Sequence, residues 1–224
     1  LHASPTEATT RMGSRPRYLA KSAAMMRAPV DDHSIGFLSA DNWAVNRESI
    51  EAINTIATES IAAARLPVQD QIPGVRALDL WRGGPNGAIL FWADAEADLN
   101  GRQEPVLYDV SVQRTDGAWR AVGGASASSE PLDELLAGLS PGLHRLGGSS
   151  ADRVFLTWAL ATPGVAMIRL RDDAGTLRER PPGRHGMVLL GVTSADPMTH
   201  AYAVDRAGEQ LPTEPLTLWA PPRG

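Results

Sequence analysis

The chain has no cysteine, a single lysine (Lys21), and only three phenylalanines and three tyrosines. Without cysteine there is no disulfide, no thiolate metal site and no cysteine nucleophile, although the compartment stays open. No run approaches the roughly 18 apolar residues of a membrane-spanning helix. No apolar segment of secretory length follows the early basic residues either, so a cytoplasmic location is the expectation. The lone lysine stands against 20 arginines. With abundant Ala, Gly and Pro, that bias follows GC-rich codons and points to a high-GC bacterial gene. The formal net charge of −5 speaks against a nucleic-acid partner, because neutralising phosphates requires a basic face.

What is present is enough for a packed protein. A chain of 224 residues suggests one large domain or two small ones, and it can bury a core without metal or disulfide. Its charge is unevenly spread. Residues 1–30 hold Arg11, Arg15, Arg17, Lys21 and Arg27 against Glu7, a net of +4, while the remaining residues carry 16 bases and 25 acids, a net of −9. That early segment has few large apolar residues and no sustained period, the composition of a segment without a core of its own. Three readings stay open: an Arg-rich leader, a basic arm for an anionic surface, or an over-extended reading frame whose true start is Met12, Met25 or Met26 rather than Leu1.

Beyond residue 40 the pattern sharpens. Asp41 or Asn42 can cap a helix that runs to about Arg65 and is stopped by Pro67. Ile50, Ile53, Ile56, Ala57 and Ile61 recur on one face of it. Strands are expected at 75–81, 87–93, 106–113 and 118–122. The first pair flanks a turn at 83–87, and Asp116-Gly117 closes the last pair as a hairpin. Val106, Tyr108, Val110 and Val112 alternate with Leu107, Asp109, Ser111 and Gln113, so the two sets lie on opposite faces. Residues 126–150 read as a linker with a short helix, and 151–212 as short strands at 153–161, 165–171, 176–180, 185–193 and 199–205. The Pro-rich end, 213–224, reads as a tail. The expected fold class is α+β: one long helix packed on a curved antiparallel sheet (41–125), followed by a small antiparallel β-sandwich.

Two local resemblances accompany this reading. The segment from Tyr108 to Arg120, with Trp119 after the turn, resembles the closing hairpin of cystatin-like and nuclear-transport-factor-like domains. The segment from Ala201 to Leu211 is similar to the last hairpin of immunoglobulin-like domains in uncharacterised actinobacterial proteins. These resemblances imply folds and no activity. The cone-shaped pocket of the nuclear-transport-factor group uses several N-terminal helices, and one is found here.

Several motifs imitate chemistry. Gly138-Leu139-Ser140-Pro141-Gly142 matches a nucleophile elbow, but Pro141 lacks the N–H that the oxyanion hole needs, and a helix rather than a strand precedes Ser140. Asp94, Glu96, Asp98 and Asn100-Gly101 imitate a calcium loop, but aligned from Glu96 its closing position is Leu107 instead of a bidentate glutamate. His2, His33, His144, His185 and His200 show no ligand spacing, and no phosphate-binding loop occurs. No metal or cofactor is expected.

Trp81, Trp92 and Trp119 fall together in the first β region, next to Tyr108. They suit a core between helix and sheet, or the lining of a pocket. Two functions follow. The first is a non-catalytic protein-binding or scaffold module, with another protein as its partner. The second is a pocket that binds or transforms a small apolar molecule, lined by Trp81, Trp92, Tyr108 and Trp119, with Asp79 or Asp109 as base.

Overall fold

Ile53, Ile56, Ala57 and Ile61 form the buried side of a 17-residue helix, α1 (Arg47–Ala63). Their spacing of three and four residues makes the stripe that the sequence predicts. The helix ends at Ala64, which takes a left-handed φ of 53°. There the Ala64 amide donates to the Ile61 carbonyl at 3.2 Å and the Arg65 amide to the Ser60 carbonyl at 3.1 Å, the paired bonds of a Schellman cap. The computed structural model describes residues 47–97, 103–151 and 153–219. The expected caps Asp41 and Asn42, the basic segment before them and the last five residues of the tail lie outside the described residues.

Strands β1 (Val75–Gly83), β2 (Asn86–Ala97), β3 (Gln103–Thr115) and β4 (Ala118–Ser128) pair in chain order as an antiparallel meander, here sheet I. Asp116 and Gly117 both have positive φ, 52° and 81°, the requirement of the tight turn that joins β3 to β4. The alternation of β3 holds. Tyr108, Val110 and Val112 pack with Ile89, Phe91 and α1, whereas Leu107 packs on the opposite side with Leu90 and Trp92. Strand β2 is apolar at successive positions because both of its faces are buried.

The second half of the chain supplies two more sheets. A short helix, α2 (Leu132–Ala137), leads into β5 (Leu143–Ala151), β6 (Val154–Ala161), β7 (Met167–Asp172) and β8 (Leu177–Arg180). Then come β9 (Met187–Thr193), β10 (Thr199–Val204) and β11 (Leu216–Leu218). Sheet II has the order β5-β6-β9 and sheet III the order β11-β10-β7-β8, both antiparallel. On β6, Leu156, Trp158 and Leu160 meet sheet I, while Ala159 and Ala161 meet sheet III. The layers therefore run α1, sheet I, sheet II, sheet III, with a core in each of the three gaps. Every described residue belongs to one compact unit, Ser34–Gly224.

This arrangement overturns the α+β class. Of the described residues, 53% are in strands and 15% in helices, α1 is the one helix longer than six residues, and the strands form three antiparallel sheets. The physical reason lies on β3. Its Asp109 and Ser111 give that face the look of a wet surface, yet both are buried against sheet II. Gly147-Gly148-Ser149-Ser150 is likewise strand rather than linker, because β5 is an edge strand hydrogen-bonded to the strongly apolar β6.

Candidate functional site

A bulge between Ala77 and Asp79 in β1 aims Asp79 into the gap between sheets I and II. The Leu80 amide donates to its Oδ1 at 2.9 Å and the Leu189 amide to its Oδ2 at 2.6 Å, and the Arg180 guanidinium also donates to Oδ1. One carboxylate thus joins β1, β8 and β9, a strand from each sheet. Arg180 further donates to the carbonyls of Leu80 and Leu189, each at 3.2 Å, and Arg184 donates to Ala77 O at 3.3 Å. These carbonyls belong to the edge strands β1 and β9, so the two arginines occupy edges that another strand could otherwise extend. Burial pushes the Asp79 pKa up, and Arg180 with the Leu189 and Leu80 amides opposes it. Donors surround both oxygens, and the ionised form is the one that accepts them all.

Asp109, fully buried on β3, is the second interlayer carboxylate. The Trp158 indole N–H donates to it at 3.1 Å from sheet II, and the Ser111 hydroxyl at 3.4 Å. The Ser149 hydroxyl on β5 leans toward it without reaching full hydrogen-bond geometry. Burial raises the Asp109 pKa to about 6, against the pull of Ser149, Trp158, Ser111 and the Ala125 amide. Both carboxylates are buried, and neither lines the three clefts found at the α1 end, at β5–β6 and over sheet III, so neither has the open approach that a general base requires.

The four aromatic residues singled out from the sequence are divided by sheet I. Tyr108 is buried on the helix side, stacked on Phe91 with ring centroids 5.2 Å apart. Trp119 is half-buried on that same side, with the Arg82 guanidinium 5.1 Å from its ring centroid. Trp81 and Trp92 lie on the other side, in the core shared with sheet II. The four do not come together around one cavity.

The imitating motifs resolve in local terms. Ser140 follows the end of α2, and its carbonyl lies 2.7 Å from His144 Nε2. Asp94, at the start of the calcium-like stretch, pairs with Arg76; the side chains of 95–104 lie outside the described residues. Among the described residues no group of three His, Asp or Glu could hold a metal ion. No described helix is long and apolar enough to cross a membrane.

The outer face of sheet III is where exposed chemistry gathers. Alternation on β7 and β10 turns Ile168, Leu170, Ala201 and Ala203 inward to the core, which leaves Arg169, Arg171, His200 and Tyr202 outward. Cross-strand register then builds two rows. Thr217, His200, Arg171 and Leu177 are successive partners across all four strands, and Tyr202, Arg169 and Glu179 form the next row. Thr217 Oγ1 and His200 Nδ1 are 3.3 Å apart, and the His200 and Tyr202 rings lie 6.4 Å apart. Arg169 Nε donates to Glu179 at 2.6 Å. A trough of about 570 Å³ lies over this face, lined by Arg169, Arg171, Leu177, Tyr202, Gly175 and Gln210.

The chain matches no protein-family model, no curated protein and no solved structure. The face on sheet III was not singled out from the sequence. Its signal was present in Ile168-Arg169-Leu170-Arg171 and His200-Ala201-Tyr202-Ala203, two segments that alternate as cleanly as β3 does.

Proposed function

We propose that this chain is a non-catalytic protein-binding module that receives its partner on the outer face of sheet III. The observation that carries this reading is the contrast between the interior and that face. The buried carboxylates Asp79 and Asp109 are engaged in holding layers together, whereas Arg171, Leu177, His200 and Tyr202 are arrayed in register on a sheet face where Arg171 and Leu177 are exposed. Aromatic and arginine side chains beside an exposed apolar one are the usual components of a protein-docking surface. The alternative, a small-molecule pocket on the helix-plus-sheet unit, has less support: its four lining candidates sit on both sides of sheet I.

Site-specific photo-crosslinking in the source cell tests the reading. A photoreactive residue in place of Leu177 or Thr217 is expected to give a discrete protein adduct that disappears when Arg171→Glu is added. The same residue in place of the exposed Glu59 on α1 is expected to give none. Equal adducts from Glu59, or none from the sheet III positions, would overturn it.

A further inference from the structure

The charge left unmatched on sheet III identifies the kind of partner. Three carboxylates on the strands and turns of sheet III are already committed. Glu179 holds Arg169, Asp172 accepts the Thr176 amide at 2.7 Å, and Asp205 accepts the Ala207 and Glu209 amides at 2.8 and 2.9 Å. Asp173 and Glu209 make no ion pair with a described cation. Arg171, exposed at the middle of its row, therefore has no carboxylate partner among the described residues. It sits between His200 on one side and Leu177, 55% exposed, on the other.

We infer that the partner of this face is an extended acidic segment of another protein, one that places a carboxylate on Arg171 and an apolar side chain on Leu177. The inference rests on the reading of this face as the docking surface. A guanidinium is matched by a carboxylate in a two-pronged hydrogen-bonded pair, and a planar fork loses little freedom in making it. Four strands at about 4.8 Å spacing make the row about 14 Å long, the reach of about four or five extended residues. The face does not suit nucleic acid. With Arg169 neutralised by Glu179, Arg171 is the remaining arginine in the two rows, and the chain as a whole carries −5.

Fluorescence anisotropy on the purified full chain tests this with four probes: a ten-residue peptide alternating Glu with Val, its Gln and Lys counterparts, and a ten-nucleotide oligo(dT). The expected result is that the Glu peptide binds at least tenfold tighter than the Lys peptide, and that Arg171→Glu reverses the preference. Because Arg171 is exposed, that variant is expected to fold, which its circular dichroism and melting curve check. If the Glu and Gln peptides bind equally while Tyr202→Ala and Leu177→Ser weaken both, the face remains the docking surface and the acidic partner is wrong. If binding ignores Arg171, Tyr202 and Leu177 alike, both the partner and the face are wrong. Preference for the oligonucleotide, or no binding of any peptide, also overturns the inference.

Discussion

Trp158 on sheet II donates its indole N–H to Asp109 on sheet I at 3.1 Å, across a gap packed largely with apolar side chains such as Leu90, Leu107, Leu156 and Met187. Because burial raises Asp109 to about 6 from an ordinary 3.8, the folded chain holds this proton more tightly than the unfolded one. The associated stability is fully present below about pH 4 and is lost as pH rises through about 6, a difference of about 3 kcal/mol. Asp109→Asn keeps an acceptor for Trp158 and removes the charge. It is expected to be near neutral at pH 4 and to stabilise by about 1–3 kcal/mol at pH 7.5. Urea unfolding at the two pH values checks this, and an equal loss at both would show that the carboxyl is not held as described.

Asp79 and Arg180 are expected to behave as a unit. Asp79→Ala strands the Leu80 and Leu189 amides and a guanidinium, and is expected to cost about 3–5 kcal/mol. Arg180→Ala is expected to cost less, because the Arg180 side chain keeps 27% exposure and the two amides still satisfy Asp79. A double-mutant cycle is expected to show coupling of about 1–3 kcal/mol. Additive losses would mean that the three sheets are not joined through this carboxylate.

What was legible in the sequence was local. The stripe on α1, the alternation of β3 and the Asp116-Gly117 turn each depend on neighbours in the chain, and each is found where expected. What was not legible depends on distant partners. Nothing near Asp109 announces Trp158, 49 positions away, and nothing near Asp79 announces Leu189, 110 positions away. Both acids therefore read as candidate bases, when their surroundings make them interlayer ties. The outer face of sheet III was readable in part. The alternation of β7 and β10 could be seen, but the register that brings Arg171 beside His200 and Leu177 could not.

The end of α1 offers a stabilising substitution. Ala64 occupies the left-handed position of the Schellman cap, where a Cβ costs roughly 1 kcal/mol relative to glycine. Ala64→Gly is expected to raise stability by about that amount, whereas Ala63→Gly, one residue earlier and still helical, is expected to lower it by about 1 kcal/mol. Thermal unfolding of the two variants separates the cases. A loss from Ala64→Gly would contradict the cap.

Trp81 rests on the backbone of Gly191 in β9, so closely that a Cβ at 191 would stand 2.5 Å from the ring. The contact lies between sheets I and II, where neither strand can withdraw easily: β1 is held through Asp79, and β9 is paired with β6. Gly191→Ala is therefore expected to cost about 1–3 kcal/mol, the range for forcing an extra methyl into a packed core. Trp81→Leu removes the obstructing ring and is expected to cost stability of its own through lost contacts. Combined, the two changes are expected to cost less than their sum, because the methyl then enters space that the smaller side chain has vacated. Urea unfolding of the two single variants and the double variant measures this. Full additivity, or a Gly191→Ala chain as stable as the parent, would show that the ring does not lie on Gly191.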